Sequence, residues 1–117
     1  MKRTEVRVPV SEADFQRQVI DLALTLGYRV AHFRPGQTSR KDHNGKAVWV
    51  TPMCGDPGWP DLILCRPPRL IIVELKSEKG KVSPEQEIWL AQLNQCSGVE
   101  VRVWRPSVWD NIVDDLK

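Results

Sequence analysis

Hydrophobic residues recur at helical spacing near the start of the chain. Phe15, Val19 and Ala23 lie one turn apart, so they share one face of a helix. Ser11 precedes them as a hydroxyl N-cap, and Gly27 stops the pattern. The sequence therefore predicts a first helix between these two residues, followed by a strand over the alternating residues 28–33.

Residues 34–58 have a different pattern, because Gly, Pro and Asn recur among mostly polar residues. Asn44-Gly45 is a strong hairpin signal, and the sequence KAVWVT after it predicts a short strand. The rest of this segment is expected to be mostly turns. Two apolar runs then flank Pro67-Pro68, which predicts two strands joined by a tight turn.

A second helix is predicted after these strands. Ser83 is its N-cap, Pro84 suits the first helical position, and Gln86 completes a capping box with Ser83. Gly98 ends the helix. Its expected apolar positions are Ile88, Trp89, Ala91, Leu93 and Cys96.

The C-terminal part of the chain predicts one more strand and one more helix. Residues 99–104 alternate between apolar and charged side chains, as a strand does, and Ser107 is expected to cap a short helix. The apolar positions of that helix are Trp109, Ile112, Val113 and Leu116. The order of all these elements predicts an α/β fold with a mixed β-sheet flanked by α-helices.

Composition narrows the class of protein. The chain has 117 residues, 41% hydrophobic and 27% charged, which predicts one folded domain rather than disorder. No apolar run approaches the roughly 20 residues that cross a bilayer, and residues 1–5 lack the apolar segment of a signal peptide. We therefore expect a cytoplasmic protein with no membrane partner. Three cysteines without CxxC spacing indicate neither a disulfide framework nor a zinc site.

Charged residues stand at the open ends of the two apolar strands. A symmetric turn at Pro67-Pro68 pairs Leu62 with Val73 and so places Asp61 directly opposite Glu74. Opposed side chains lie on the same face, roughly 4.5–5.5 Å apart at Cβ. A turn longer by one residue would shift the pairing and separate the two acids, so the prediction depends on the register.

Lys76 projects from the same face, because it lies two residues beyond Glu74. Two opposed carboxylates repel each other unless a positive charge neutralises them. A divalent cation such as Mg²⁺ does so, and a lysine beside it can contact a phosphate or a water molecule. The alternative is a surface salt bridge between Lys76 and Asp61 or Glu74. Spacing alone leaves both interpretations open.

The residues around these charges resemble a known family. Pro60-Asp61 and Glu74-Leu75-Lys76 are similar to the motif of the PD-(D/E)xK nuclease superfamily. The longer stretches GDPGWPDLIL and VELKSEKGKVSPEQEIWL resemble the VRR-NUC family, including its stand-alone phage and bacterial members. The resemblance implies a single VRR-NUC-like nuclease domain over residues 1–117. It also implies a restriction-endonuclease-like core, in which α-helices flank a mixed β-sheet.

The resemblance assigns roles to the charged strand ends. It implies that Asp61 and Glu74 bind Mg²⁺ or Mn²⁺ together with the backbone carbonyl of Leu75. Lys76 would orient the attacking water and stabilise charge on the phosphate.

Two further catalytic residues follow from the resemblance, and each has an alternative interpretation. Glu12 matches the family's N-terminal acid and would complete the metal site, but an acid at a helix start also interacts favourably with the helix dipole. Gln86 matches the family's glutamine on the helix after the Glu-x-Lys strand, but it is also the capping-box partner of Ser83.

Basic residues suited to DNA phosphates occur in two segments. They are Arg34, Arg40, Lys41 and Lys46 in the glycine-rich and polar segment, and Lys79 and Lys81 just after the predicted site. Such contacts position DNA without reading its sequence. The alternative for the first group is a solvated loop. Trp59 lies two residues before Asp61 and is a candidate for lining the cleft. The later tryptophans are expected to pack against the rest of the fold.

The predicted function is a divalent-metal-dependent DNA endonuclease that hydrolyses phosphodiester bonds. The related stand-alone proteins imply branched DNA, such as four-way (Holliday) junctions, as substrate. They also imply a homodimer and a bacterial or phage-infected host cytoplasm. Two alternatives are a repair or restriction nuclease with another DNA substrate and a non-catalytic DNA-binding module. Intact Asp61, Glu74 and Lys76 argue against the module, which is expected to have lost at least one of them.

Overall fold

The computed structural model describes residues 10–33, 36–41, 43–50 and 55–117, with only the backbone described in strands 36–41 and 47–50. Helix α1 spans Glu12–Thr25, and the hydroxyl of its N-cap Ser11 accepts a hydrogen bond from the Asp14 N–H at 3.1 Å. The predicted apolar stripe is buried, and strand β1 follows at Arg29–His32. Both predictions for this part of the chain are confirmed.

The predicted hairpin around Asn44-Gly45 is present as a separate two-stranded sheet. Strand β2 spans Gly36–Lys41 and strand β3 spans Ala47–Val50, and they pair antiparallel. The expectation of mostly turns is wrong for β2, which has a polar sequence. Backbone pairing with β3 is sufficient to make it a strand, because the ladder uses main-chain groups and not side chains.

The main sheet has four strands in the order β1-β4-β5-β6. Strand β4 spans Leu62–Arg66, β5 spans Arg69–Leu75 and β6 spans Glu100–Trp104. Strands β1, β4 and β5 pair antiparallel, whereas β5 and β6 are parallel. The sheet is therefore mixed, as predicted.

One face of this sheet packs on helices and holds the core. Leu62, Leu64, Ile71 and Val73 point to this face and are fully buried with the apolar faces of α1 and of the C-terminal helix α3. Successive side chains of a strand alternate between faces. The opposite face therefore carries the side chains between them, and Glu74 is one of these.

Helix α2 spans Pro84–Asn94 and begins with the predicted capping box. The expected apolar positions do not form a buried face, because no residue of α2 is buried and Ile88 is 60% exposed. The helix lies against β6, the edge strand of the main sheet, along a shallow groove between Leu90 and Val101. An edge strand offers a helix less surface to pack against than the middle of a sheet does, so α2 contributes little to the core.

The chain ends in a 3₁₀ turn, Pro106–Val108, and helix α3, Trp109–Leu116. The predicted apolar residues Ile112 and Leu116 are buried. The prediction that Ser107 caps this helix is wrong, because its N-cap is Val108. The Ser107 N–H instead donates to the carboxylate of Glu78. No helix in the described ranges is long and apolar enough to cross a bilayer.

Candidate active site

The β4–β5 hairpin brings two acids together at its open end. Leu62 pairs with Val73, so the predicted register is confirmed. Asp61 precedes Leu62 and therefore lies opposite Glu74. Its Oδ2 also accepts a hydrogen bond from the Leu75 N–H at 2.8 Å, which fixes the carboxylate at the end of the strand.

Glu74 is a charged residue that the fold buries almost completely, with 1% of its surface exposed. Its Oε1 accepts a hydrogen bond from Gln86 Nε2 at 2.9 Å and lies 3.6 Å from Lys76 Nζ. Its Oε2 is buried with no hydrogen-bond partner among the described residues. A buried carboxylate oxygen without a partner is costly, so this position is suited to a ligand that the chain itself does not supply.

The buried position of Glu74 and its neighbour Asp61 perturb the titration of Glu74. Burial, together with the neighbouring carboxylate of Asp61, raises the pKa of Glu74 from 4.5 to about 8, against the opposing effect of Lys76. One ammonium group therefore does not neutralise the pair. At neutral pH the site favours uptake of a further positive charge, either a proton or a metal cation.

Gln86 contacts both its capping partner Ser83 and the acid Glu74, and its predicted catalytic role remains a prediction. Its Oε1 accepts from the Ser83 N–H at 2.9 Å, and its own N–H donates to Ser83 Oγ at 3.2 Å, which completes the capping box. Its Nε2 donates to Glu74. The capping bond thus holds the amide in the orientation that supports the buried carboxylate.

Close packing of segment 55–60 on the start of α2 places Asp61 near this helix. Gly58 has a φ of +97°, and a Cβ there would lie 2.6 Å from the main-chain carbon of Glu85. Glycine is therefore required both by the backbone conformation and by the space.

Arg105, which the sequence did not single out, fixes the loop after Lys76. Its Nη1 donates to the carbonyls of Ser77 and Gly80, both at 2.6 Å. The Lys76 N–H is held in turn by the Trp104 carbonyl at 3.0 Å. In the sequence, Arg105 is one basic residue after an alternating strand, and no local pattern distinguishes it from an exposed arginine.

A comparison with known families bears on this cluster of side chains. The family model described as VRR-NUC domain matches residues 52–107, a range that contains Asp61, Glu74, Lys76 and Gln86. This range of the chain therefore has the sequence pattern of a VRR-NUC domain. This confirms the predicted family, and the mixed sheet flanked by helices agrees with its restriction-endonuclease-like fold. Searches of curated proteins and of solved structures gave no significant match.

A VRR-NUC domain is a nuclease domain that acts on DNA. The set of side chains that could bind a metal ion is small in this chain. The described residues contain no group of three or more His, Cys, Asp and Glu side chains placed to hold a metal ion. Two carboxylates are nevertheless enough for Mg²⁺, which keeps several waters and uses substrate phosphate oxygens as further ligands. Asp61 and Glu74 with its unpartnered Oε2 fit such an ion. The Leu75 carbonyl as a further ligand remains a prediction.

Glu12 lies outside both the family match and this hydrogen-bonded cluster. It is the first residue of α1, and its side chain is exposed. The placement agrees with a favourable charge at a helix N-terminus. Its predicted role in the VRR-NUC site remains a prediction.

The predicted DNA-binding residues are described to different extents. Lys79 and Lys81 are exposed on the loop that Arg105 fixes, next to the cluster, and Lys46 is exposed just before β3. Arg34 lies outside the described residues, and for Arg40 and Lys41 on β2 only the backbone is described. Contact of any of these residues with DNA remains a prediction.

Proposed function

We propose that this chain, over residues 1–117 as one domain, is a Mg²⁺- or Mn²⁺-dependent DNA endonuclease that hydrolyses phosphodiester bonds. The observation that carries the proposal is the buried Glu74, which has an unpartnered Oε2 and lies opposite Asp61. An acid pair of this kind destabilises the fold when nothing is bound. It suits a site that binds a cation and a phosphate.

The chain's own residues then have separate tasks. Asp61, Glu74 and the Leu75 carbonyl hold the cation, and Gln86 keeps the Glu74 carboxylate in place. Lys76, whose side chain is only 15% exposed, directs its ammonium group toward the site, orients the attacking water and stabilises charge on the phosphate. When bound, the divalent cation supplies Lewis acidity at the phosphate.

A cleavage assay with metal exchange tests the proposal. We expect cleavage of DNA in Mg²⁺ or Mn²⁺ and none in EDTA, with Lys76→Ala inactive although it is folded and binds DNA. Lys117→Ala is the matched control, because this lysine is exposed at the C-terminus of the chain. Cleavage that persists in EDTA, or an active Lys76→Ala protein, would refute the mechanism. A protein that binds DNA but cleaves none of the substrates with either metal would favour the non-catalytic DNA-binding module.

We further propose that the substrate is branched DNA, such as a four-way junction, and that the enzyme is a homodimer. A two-fold symmetric dimer presents two sites to two strands. Exposed apolar residues at α2 and β6, such as Ile88 and Val103, support a second copy as their partner, because β6 is an edge strand of the main sheet.

Molar mass in solution and substrate competition test these two points. We expect twice the chain mass by light scattering, reduced to one chain by Val103→Glu. We also expect faster cleavage of a four-way junction than of the matched linear duplex. A wild-type monomer would refute the dimer, and equal rates on both DNAs would favour a repair or restriction nuclease with another substrate.

A further inference from the structure

Three aromatic rings lie in contact beside the acid pair. The ring centroids of Phe33 and Trp59 are 6.3 Å apart, and those of Trp59 and Trp89 are 4.9 Å apart. Both pairs are edge-to-face, with interplanar angles of 89° and 88°. Trp89 is fixed further by its indole N–H, which donates to the Asp56 carbonyl at 3.3 Å.

The strand register places this aromatic cluster on the same sheet face as the acids. Ala31 pairs with Ile63, so Phe33, two residues after Ala31, lies level with Asp61 on the face opposite the core. The Phe33 N–H donates to the Asp61 carbonyl at 2.9 Å. The cluster therefore begins one strand away from Asp61.

Helix α2 brings the third ring to the same place. Trp89 follows Gln86 by three residues, so the two side chains share a helix face. Gln86 contacts Glu74, and Trp89 contacts Trp59. The aromatic cluster and the acid pair are thus neighbours along both the sheet and the helix.

The cluster is not part of the hydrophobic core. Phe33 is 36% exposed and the two tryptophans are half-buried, whereas the core lies on the other face of the sheet. Rigid rings held in place by one another lose little conformational entropy on binding. Their contacts alone also suit a structural role, in which the rings attach segment 55–60 to α2.

We propose that Phe33 and Trp59 form a stacking site for an unpaired nucleobase of the DNA, with Trp89 as its support. This rests on the proposed phosphodiester site, which places a phosphate next to the rings. The neighbouring Asp56, Asp61 and Glu74 are acidic and do not attract phosphates on their own. A π-face accepts any base but only one that is not already stacked in a duplex. The site thereby favours branched or end-frayed DNA over intact duplex.

Binding in Ca²⁺, measured by fluorescence anisotropy, tests the site without requiring turnover. The two probes are a blunt duplex and the same duplex with a short unpaired thymine flap. Stacking of one base is worth roughly 1–3 kcal/mol. Phe33→Leu is therefore expected to weaken binding of the flap by about 5- to 160-fold and to leave binding of the blunt duplex unchanged. Phe33→Tyr keeps the ring and is expected to restore the flap affinity.

The salt dependence separates stacking from charge contacts. Loss of a stacked base leaves the slope of log K against log salt concentration unchanged, whereas loss of a phosphate contact reduces it. We expect an unchanged slope for Phe33→Leu. Leu24→Ala, which alters an exposed leucine on α1, is the matched control and is expected to bind both probes as the wild type does.

Three results would overturn the inference. They are an equal loss of affinity for both probes, a reduced salt slope, and full flap affinity in both Phe33→Leu and a second variant, Trp59→Leu. These outcomes are distinct from failure of the proposed function. A wild-type protein that prefers the flap but never cleaves it refutes the nuclease proposal alone. A cleaving enzyme that is indifferent to Phe33→Leu and Trp59→Leu refutes only the stacking site.

Discussion

The β4–β5 hairpin has charged residues at both of its ends, and the two groups differ in how completely they are paired. The turn-end cluster consists of Arg69, Glu100, Arg102 and Asp115, from β5, β6 and α3. The open-end cluster consists of Asp61, Glu74, Lys76 and Gln86. One strand pair thus joins a saturated charge network to an incomplete one.

In the turn-end cluster, two arginines pair with two acids, so the positive and negative charges are equal in number. All five donors of Arg69 are used, by the Glu100 carboxylate, by the carbonyl and carboxylate of Asp115, and by the hydroxyl of Tyr28. Arg102 donates to the same two acids. Hydrogen bonds from Arg69 lower the pKa of Glu100, and those from Arg102 lower the pKa of Asp115.

In the open-end cluster the pKa of an acid moves the other way. The pKa of Glu74 is raised, mainly by burial, and one of its oxygens has no partner among the described residues. The turn-end cluster therefore has the features of a stabilising network, whereas the open-end cluster has the unfavourable arrangement that is common at functional sites.

The largest effect is expected at Glu74. Glu74→Gln removes a charged metal ligand, and we expect cleavage to fall by at least about 10²–10³-fold. The same change relieves repulsion with Asp61, because the new amide can donate to that carboxylate. In EDTA the variant is expected to be as stable as the wild type or about 0.5–2 kcal/mol more stable in urea unfolding. A strongly destabilised variant would contradict the contrast between the two clusters.

Removing one charge from the turn-end cluster is expected to have the opposite effect on stability. Arg69→Gln leaves the carboxylates of Glu100 and Asp115 with Arg102 alone. We expect a loss of about 2–4 kcal/mol in the free energy of unfolding, between the values for exposed and buried ion pairs. Arg29→Gln, at an exposed arginine of β1, is the control and is expected to change stability by less than about 0.5 kcal/mol. Equal effects of the two variants would show that the charge network does not contribute to the stability of the fold.

Arg105 is expected to support activity by positioning the loop after Lys76, without contacting the substrate itself. Arg105→Gln frees the loop that joins Lys76 to Lys79 and Lys81. We expect kcat/KM to fall about 10-fold, as for loss of a residue that orients catalytic groups, while stability falls by only about 1 kcal/mol. Trypsin is expected to cut after Lys79 and Lys81 faster in this variant than in the wild type. Unchanged proteolysis together with full activity would remove the positioning role.

The pH dependence of stability compares both clusters in a single protein. Glu100 and Asp115 have folded-state pKa values below their ordinary 4.5 and 3.8, so their contribution is present above those values and is lost as pH falls through the folded-state pKa values. Glu74 has a raised pKa, so its contribution is present below 4.5 and is lost as pH rises toward about 8.

Urea unfolding in EDTA across pH 3–9 measures both pH-dependent changes in the free energy of unfolding. We expect the loss of stability at acidic pH to be smaller in Glu100→Gln. The loss of stability between pH 4.5 and 8 is expected to disappear in Glu74→Gln. A wild-type protein whose stability does not fall between these two pH values would contradict the raised pKa of Glu74.

Much of the fold was predictable because it depends on local signals. The stripe of Phe15, Val19 and Ala23, the capping box at Ser83 and the turn at Pro67-Pro68 each determine an element within a few residues. The register of the hairpin follows from that turn, and with it the meeting of Asp61 and Glu74. The predictions failed at Ser107 and at the polar strand β2, where a neighbouring element decides the outcome.

The sequence by itself determined the elements, the sheet type and the pair of opposed acids, because alternation, capping and turn length are properties of adjacent residues. Only the tertiary structure decided which charges are satisfied. It placed five acceptors around Arg69 and left Glu74 Oε2 with none among the described residues. It also joined Phe33, Trp59 and Trp89 into one aromatic cluster beside the acids. Hydrogen bonds and burial arise between residues far apart in the chain, so no local pattern contains them.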